Sequence, residues 1–392
     1  MAVSQILVLF GALQSVATAL YAQTLVCGEY ATCTILESGS IQCWGSYVKE
    51  PVGSGYTQLT MYRMWPFARK DNGEVWGPGS GLGGAQPRTP PDSPSWTNIT
   101  RVQNGYSQNN NDAIFEVSFI RVDGTVFGRY QWPTGSYTQI GGGVGSMCAI
   151  RTDGVMKCTA GALNCCYGAD NSPPSTEKYL QVNGGRFYRV QISYTLRLSY
   201  TGWMCPGCRW SLSSNSFVQL DVNYNNACAL RLDGGVECYG DNNYGVLDGV
   251  PSGSFSSVCV GMAHACALGA DGSIVCWGSN IYGQASPPAG IAPRVGCPAG
   301  SAGKNIASCE LCRAGTFALA YFLECDRCWP GWSSGGGAVT CFLCGVGQYS
   351  EAGQLCTQCA CATGRFCPEG SSSSAGIVVR MRTRYPDVRA VW

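Results

Sequence analysis

The sequence predicts an all-β protein in which seven repeated units close into a ring and a small disulfide-rich domain follows. Three observations support this fold. A hairpin pattern with one cysteine on each arm occurs four times, weaker copies bring the number of units to seven, and short CxxC pairs take over after Cys297. The composition agrees, because 53 glycines and a charged fraction of only 12% favour turns and strands over helices.

The clearest unit is the hairpin predicted around Asp271-Gly272. This turn signal lies midway between Cys266 and Cys276 in CALGADGSIVCWG. Residues equidistant from the turn of an antiparallel pair have Cβ atoms about 4.5 to 5.5 Å apart, so the two cysteines are expected to form a cross-strand disulfide. The same spacing predicts three further cross-strand disulfides, which are Cys33–Cys43, Cys148–Cys158 and Cys228–Cys238.

Copies without the cysteine pair complete the set of seven units. In the full set, successive turn glycines are 30 to 51 residues apart, a period typical of one propeller blade or one solenoid unit. Seven units of short strands fit a closed ring. Cys27 and Cys259 hold similar repeat positions in units that would be neighbours across the closure, and we expect them to pair. The predicted turns are at Gly39, Gly73, Gly124, Gly154, Gly202, Gly234 and Gly272.

Units six and seven end in matching loops, YGDNNYGVL from Tyr239 and WGSNIYGQA from Trp277. Together with the Cys/Ala-Leu strand, the DG turn and the Val-x-x-Trp-Gly strand, these loops resemble the RCC1 / β-lactamase-inhibitor-protein-II repeat. The resemblance covers about residues 25 to 290. It implies a seven-bladed β-propeller of four-stranded blades, in agreement with the seven turns. We place the propeller at residues 23–293.

The segment after the propeller is organised by CxxC pairs, which begin at Cys309, Cys325, Cys341 and Cys356. Two such pairs could supply four thiolates to zinc, so zinc and disulfide interpretations compete. We favour disulfides, because the hairpin cysteines already indicate an oxidising compartment and repeats too short for a core need covalent bonds. CRAGTF and CWPGWSS resemble ephrin-receptor-like (GCC2/GCC3) or TNF-receptor-like repeats. This domain is predicted at residues 297–376, followed by a tail at residues 377–392.

The compartment follows from the cysteines and the N-terminus. Twenty-five cysteines beside a single histidine are hard to reconcile with a reducing environment, so we expect a secreted or cell-surface protein. Residues 1–22 predict a signal peptide, the alternative being a buried first strand, because the segment lacks Lys and Arg. No later stretch reaches 18 apolar residues, so no membrane span is expected. The sequon at Asn98, beside a proline-rich loop, predicts glycosylation.

The sequence predicts no catalytic residue, cofactor or metal site. His264 is the sole histidine, and we expect it to be structural because it lies in the repeat strand GMAHACAL. Most of the Asp residues that the pattern places fall in turns, where Asp is favoured for backbone hydrogen bonding, namely Asp71, Asp123, Asp153, Asp233 and Asp271. Cys205 and Cys208 form a CxxC without the βαβ context of a redox enzyme, so a structural bridge, with Cys165 or Cys166 as candidate partners, is expected. A net charge of +1 gives no reason to expect nucleic-acid binding.

The expected function is that of a secreted or cell-surface protein-binding module without catalytic activity. Its propeller loops would recognise an extracellular protein ligand or receptor, and the cysteine-rich repeats would form a semi-rigid stalk. The combination resembles the ectodomain of crinkly-type receptor kinases, so the ligand-binding part of a truncated receptor is one alternative. Guanine-nucleotide exchange, which the RCC1 name implies, is hard to reconcile with an exported chain.

A lectin-like propeller that binds glycans is the other alternative. The chain has 11 Trp and 20 Tyr residues, whose flat rings can stack on sugars. However, Trp44, Trp76 and Trp277 recur at one repeat position. We therefore expect these three side chains to pack between blades.

Overall fold

The computed structural model contains seven three-stranded and five two-stranded antiparallel sheets among the residues it describes. The described residues are 23–46, 48–62, 64–77, 96–101, 117–121, 124–127, 134–143, 146–160, 177–185, 188–193, 195–202, 208–209, 211–303, 306–319, 322, 324–360, 365–375 and 377–378.

Each three-stranded sheet is one blade of a β-propeller, and the chain runs through its strands in sequence order. Blades one to three contain β1 (Leu25–Cys27), β2 (Ala31–Ile35), β3 (Ile41–Gly45), β4 (Tyr56–Tyr62), β5 (Trp65–Lys70), β6 (Val75–Trp76), β7 (Trp96–Arg101), β8 (Val117–Arg121) and β9 (Val126–Phe127). Blades four to seven contain β10 (Tyr137–Gly143), β11 (Ser146–Arg151), β12 (Met156–Ala160), β13 (Tyr179–Gly184), β14 (Tyr188–Ser193), β15 (Leu198–Gly202), β16 (Phe217–Asn223), β17 (Asn226–Arg231), β18 (Val236–Gly240), β19 (Phe255–Val260), β20 (His264–Gly269) and β21 (Ile274–Gly278).

The blades pack into a closed ring. The first strand of each blade packs against the first strand of the next, from β1 and β4 onward, and β19 of the last blade packs against β1. Among the described strands, the first strands therefore lie innermost and the third strands lie on the outer side of each blade. A disulfide between Cys27 in β1 and Cys259 in β19 joins the two ends of the ring, as expected from their repeat positions. The predicted seven-bladed propeller is confirmed.

The described residues of each blade account for three of the four strands expected. The resemblance implies four strands, whereas the described residues of each blade form three. A single antiparallel bridge joins Arg209 to Gly240 of the third strand of blade six, and another joins Leu36, directly after β2, to Pro293. The last connecting segment is rich in proline, with Pro287 and Pro288 ahead of Pro293. Proline lacks the amide hydrogen that a strand ladder requires, so this segment does not extend the sheet.

The predicted turn at Gly202 is wrong. Gly202 ends β15, and the turn of blade five lies at Leu196, which has a φ of 58°. The Leu196 amide donates to the Ser193 carbonyl at 2.9 Å, just as the Gly234 amide donates to the Arg231 carbonyl at 3.0 Å in blade six. The other six predicted turn glycines have φ between 76° and 87°. Leucine is not a residue type that predicts a left-handed turn, so the sequence pattern assigns the turn of blade five to the nearby Gly202.

Five two-stranded hairpins follow the propeller, and we call them the C-terminal repeats. They are β22 (Ser301–Ala302) with β23 (Glu310–Leu311), β24 (Thr316–Phe317) with β25 (Asp326–Arg327), β26 (Trp332–Ser333) with β27 (Phe342–Leu343), β28 (Gln348–Tyr349) with β29 (Thr357–Gln358), and β30 (Arg365–Phe366) with β31 (Ile377–Val378). A short 3₁₀ helix spans Ile306–Ser308. The last hairpin thus extends into the segment predicted as a tail.

Three disulfides join successive CxxC pairs of the C-terminal repeats, and two more join the first and last pairs to Cys297 and Cys367, which confirms the disulfide interpretation of this region. The repeats also approach closely through glycine, since the Gly331 amide donates to the Ser350 carbonyl at 2.8 Å. A Cβ on Gly331 would lie 2.2 Å from the Gly370 oxygen. The bonds are Cys297–Cys309, Cys312–Cys325, Cys328–Cys341, Cys344–Cys356 and Cys359–Cys367.

Some predictions concern residues outside the described ranges. These are the signal peptide at residues 1–22, the cysteines at Cys165, Cys166 and Cys205, and most of the tail. Cys208 is described and is disulfide-bonded. Within the described ranges, no helix has the length and apolar character needed to cross a membrane.

Candidate functional site

The propeller has two faces, which are defined by the strand connections. The turn face carries the turns between second and third strands, such as those at Gly39, Gly154 and Gly272. The opposite face, which we call the loop face, carries the turns between first and second strands. It also carries the loops that leave the third strands, including residues 241–249 and 279–286. The two sets lie on opposite sides because each strand reverses the direction of the one before it.

Trp329 of the C-terminal repeats packs on the turn face at blade four. Its indole nitrogen donates a hydrogen bond to the Thr152 carbonyl at 2.6 Å. A Cβ on Gly154 would lie 2.1 Å from the indole, so only a glycine permits this approach. The Lys178 ammonium lies 5.5 Å from the indole centroid, a cation–π distance, and burial lowers the pKa of this lysine.

Other contacts extend this interface. Phe317 and Leu319 of the repeats share one buried cluster with Leu196 of blade five. In the segment that leads to the repeats, the Arg294 guanidinium donates to the Tyr56 carbonyl at 2.8 Å. The repeats therefore cover part of the turn face. The expected stalk is instead a domain docked on the propeller.

Two loops of the loop face share the same internal hydrogen bonds. The side-chain oxygen of Asn242 accepts from the Leu247 amide at 2.8 Å, and that of Asn280 accepts from the Ala285 amide at 2.9 Å. A side chain that bonds the backbone across its own loop restricts the conformations of that loop. The residues between these partners are thus presented on a fixed support.

Buried tryptophans hold the same loops from within the propeller. Trp277 donates to the Val246 carbonyl at 2.8 Å, and Trp44 donates to the Gln284 carbonyl at 2.9 Å. These two indoles are only 7% and 6% exposed. They pack between blades, as expected from their repeat position. Neither presents a free face to a sugar.

The loop face exposes other apolar side chains at the seam where the ring closes. Ile281 is 78% exposed and Tyr282 is 42% exposed. The Tyr282 ring packs edge-on against Tyr30 of blade one, with centroids 4.8 Å apart. We call Tyr30, Ile281 and Tyr282 the tyrosine patch. The sequence analysis named the loops but not these residues. Tyr244, at the position of Tyr282 in the preceding loop, is the repeat signal that could have identified them.

The eight cysteines predicted to form cross-strand disulfides are bonded in the expected pairs. Within each pair the two Cα atoms lie 4.0 or 4.1 Å apart, directly opposite each other in the hairpin. Disulfides at this density persist in oxidising environments, so they indicate an extracellular location. The pairs are Cys33–Cys43, Cys148–Cys158, Cys228–Cys238 and Cys266–Cys276.

His264 is fully buried at the start of β20. The Thr32 hydroxyl donates to the Gln284 carbonyl at 2.9 Å, so its oxygen accepts the Nε2 hydrogen of His264, at 2.8 Å. Cys27 and Cys266 lie near the ring, and the three potential ligand atoms are within 4.8 Å of one another. Both sulfurs are in disulfides and therefore offer no thiolate to a metal ion.

Asn98, the predicted glycosylation site, lies in β7, with Ile120 as its backbone partner. The equivalent register positions are held by Gln139 in blade four and Gln181 in blade five. The sequon thus begins on an innermost strand, next to the proline-rich loop. Its glycosylation stays a prediction.

One repeat family and several solved structures resemble this chain. Residues 255–284 match the regulator of chromosome condensation (RCC1) repeat, which confirms the resemblance for this unit.

The entire ectodomain of the Physcomitrella patens receptor kinase CR4 is similar, with 15% identity, a TM-score of 0.48, and coverage of 82% of this chain and 94% of that chain. The CRINKLY WD40 ectodomain of the Arabidopsis thaliana receptor kinase ACR4 has 15% identity, a TM-score of 0.47, and coverage of 66% and 98%. Yeast RCC1 (Prp20) has 12% identity, a TM-score of 0.38, and coverage of 69% and 73%. No curated protein sequence matches the chain.

Proposed function

We propose that this chain is an extracellular protein-binding module without catalytic activity, and that the loop face of its propeller holds the binding site. The tyrosine patch is the observation that carries the proposal. It combines an isoleucine that is 78% exposed with a tyrosine that is 42% exposed, on loops fixed by side-chain hydrogen bonds. Exposed apolar groups on a rigid scaffold are typical of protein interfaces.

The chemistry of the patch favours a protein partner with an apolar pocket. Ile281 would insert its whole side chain, and burying it would release roughly 2 kcal/mol of hydrophobic free energy. Tyr282 can bury its ring while its hydroxyl bonds a polar group, which is why tyrosine is frequent among residues that dominate binding energy. Because Tyr30 supports the Tyr282 ring, little side-chain freedom is lost on binding.

The chemically distinctive side chains of the described propeller have structural partners, which supports a non-catalytic role. His264 is buried, and the Asp271 carboxylate accepts from the amide of Ser273 at 3.0 Å within its own turn. Asp233 does the same with the Gly235 amide at 3.0 Å. The pKa of Asp233 is lowered first by its hydrogen bond from the Arg231 guanidinium and then by the Gly235 amide. The pKa of Asp271 is lowered first by the Ser273 hydroxyl and then by the Ser273 amide. Groups held in this way are poor general acids at neutral pH.

The proposal is tested by photo-cross-linking on the secreted protein. A benzophenone amino acid is placed at Ile281 and, as the matched control, at Leu232, which is 48% exposed beside the blade-six turn. Both proteins are added to the cell surfaces and extracellular fluid of the source tissue. We expect a discrete protein adduct from position 281 that excess unlabelled protein suppresses, and none from position 232. Equal labelling at both positions would contradict the proposal.

A carbohydrate ligand is the second candidate, because the exposed rings of Tyr244 and Tyr282 could stack on sugars. A glycan array separates the two candidates. Glycan binding that is lost in both Tyr244→Ala and Tyr282→Ala would favour a lectin. If no glycan on the array binds, a protein partner is the remaining candidate. The full-length transcript tests the receptor alternative, which requires a reading frame that continues into about 20 apolar residues.

A further inference from the structure

Arg189 lies against one of the four cross-strand disulfides. Its Nη1 atom is 3.1 Å from the sulfur of Cys148 and 3.0 Å from the sulfur of Cys158. Arg189 belongs to β14 of blade five and is only 6% exposed, whereas the two cysteines belong to blade four. A buried guanidinium therefore touches both sulfurs across a blade boundary.

The other three disulfides are followed by uncharged residues at the equivalent position. The strand registers place Thr32, Pro66 and Ala265 where blade five has Arg189. The Thr32 hydroxyl lies 3.9 Å from the Cys266 sulfur, so the neighbouring blade reaches the disulfide there as well, but without a charge.

The four disulfides are alike in sequence spacing, position in the hairpin and burial. Each has the same spacing of ten residues and the same position in its hairpin. In each pair the cysteine on the second strand is at most 1% exposed. The cysteine on the third strand is half-buried in each pair. The blade-four pair is distinguished by the guanidinium of Arg189 at both of its sulfur atoms.

We propose that the Cys148–Cys158 disulfide is a reducible site, which an extracellular dithiol reductant opens more readily than it opens the three equivalent disulfides. This inference is independent of the proposed binding function.

The reduction proceeds by thiol–disulfide exchange. A thiolate of the dithiol attacks the half-buried sulfur of Cys158, the Cys148–Cys158 bond breaks, and Cys148 leaves as a thiolate beside the Arg189 guanidinium. The second thiol then attacks the reductant's own sulfur in the mixed disulfide, closes the reductant into a disulfide and releases Cys158. Two electrons and two protons pass from the dithiol to the two cysteines. A neighbouring arginine lowers the pKa of the departing thiol, and a thiol of lower pKa leaves faster.

The location gives this reduction a structural consequence. The Cys148–Cys158 disulfide joins the two strands of the hairpin formed by β11 and β12. Trp329 packs on the turn of this hairpin, at Thr152 and Gly154. Opening the disulfide would remove the covalent bond that holds the two strands of this hairpin together.

The test uses the intact secreted protein under native conditions at pH 7. Graded dithiothreitol is added, the reaction is stopped at intervals with an alkylating reagent, and the eight hairpin cysteines are quantified by peptide mass spectrometry. We expect Cys148 and Cys158 to become alkylated about tenfold faster than the other three pairs. Equal rates for the four pairs, or faster reaction of another pair, would overturn the proposal.

The matched variant is Arg189→Met, which keeps the length of the side chain and removes its charge. The expected result is that the blade-four pair slows to the rate of the other three. A preference that persists in this variant would show that Arg189 is not its cause and would also overturn the proposal. Should Arg189→Met not fold, Arg189→Gln provides a second neutral variant, and the comparison of the four pairs within the wild-type protein needs no substitution.

Discussion

His264 is completely buried in blade seven, and burial lowers the pKa of its imidazole from the ordinary 6.5 to about 3. Above pH 6.5 the ring is neutral in both the folded and the unfolded chain. Between pH 6.5 and pH 3 the unfolded chain binds a proton that the folded chain does not, so the free energy of unfolding falls as the pH falls. The expected slope is about 1.4 kcal/mol per pH unit.

The variant His264→Asn isolates this effect, because Asn226 holds the same register position in blade six. We expect the wild-type protein to lose about 2 kcal/mol more than the variant between pH 7 and pH 5, measured by urea unfolding. Both proteins share every other titrating group, so the difference belongs to His264. Parallel stability curves would mean that the imidazole is protonated inside the fold.

Glutamine side chains on the innermost strands form hydrogen bonds with the backbone of the next blade. Gln181 of β13 donates to the Leu220 carbonyl of β16 at 2.8 Å and accepts from the Leu220 amide at 2.8 Å. Gln219 makes the same two bonds to Val258 of β19, both at 3.1 Å. Neighbouring blades therefore exchange ladder-like hydrogen bonds, although their strands belong to different sheets.

Replacement of Gln181 by methionine should destabilise the propeller by about 1 to 3 kcal/mol. The change preserves volume but leaves the buried amide of Leu220 without its partner, and an unsatisfied buried group costs roughly 1 to 3 kcal/mol. The Leu220 carbonyl keeps a second donor, because the Asn183 side chain also donates to it at 2.8 Å. Gln191→Met is the control, because Gln191 is also buried in blade five and its side-chain oxygen has no hydrogen-bond partner in the described structure. Urea unfolding of both variants measures the difference. A loss as large in Gln191→Met would contradict this role for Gln181.

Sequence reasoning succeeded for elements whose signals are local. The cross-strand disulfides follow from a turn and a spacing of ten residues, and the seven blades follow from the recurrence of that pattern. It failed for the turn at Leu196, where the conformation comes from the surrounding sheet rather than from the residue type. It also missed Trp329, whose partner Thr152 is 177 residues away, because no pattern in the sequence pairs such distant residues.

The contact of Trp329 with the propeller requires the glycine at position 154. Gly154→Ala should weaken it, because the added Cβ would lie 2.1 Å from the Trp329 ring at a backbone with φ of +76°. Gly245→Ala is matched in backbone, with φ of +73°, but nothing lies within 4 Å of its Cβ. Both variants carry about 1 to 2 kcal/mol of left-handed strain, and the steric term belongs to Gly154 alone.

Limited proteolysis between the propeller and the repeats reports the docking directly. We expect cleavage near residues 286–296 to accelerate in Gly154→Ala and to stay at the wild-type rate in Gly245→Ala. Similar rates in the two variants would indicate that Trp329 shifts without loss of the interface.

The closure of the ring sets the stability of the whole molecule. The Cys27–Cys259 disulfide spans 232 residues, whereas each hairpin disulfide spans ten. In the chain-entropy account, the Cys27–Cys259 disulfide raises the free energy of the unfolded chain by about 5 kcal/mol, and a hairpin disulfide raises it by about 3 kcal/mol. Replacing Cys27 and Cys259 by alanine should therefore lower the free energy of unfolding by roughly 2 kcal/mol more than replacing Cys228 and Cys238, as measured by urea unfolding. Because β1 also packs against β19 and β20, the packing of the first blade on the last would remain in the variant. Equal losses in the two double variants would mean that this packing, rather than the disulfide, holds the ring closed.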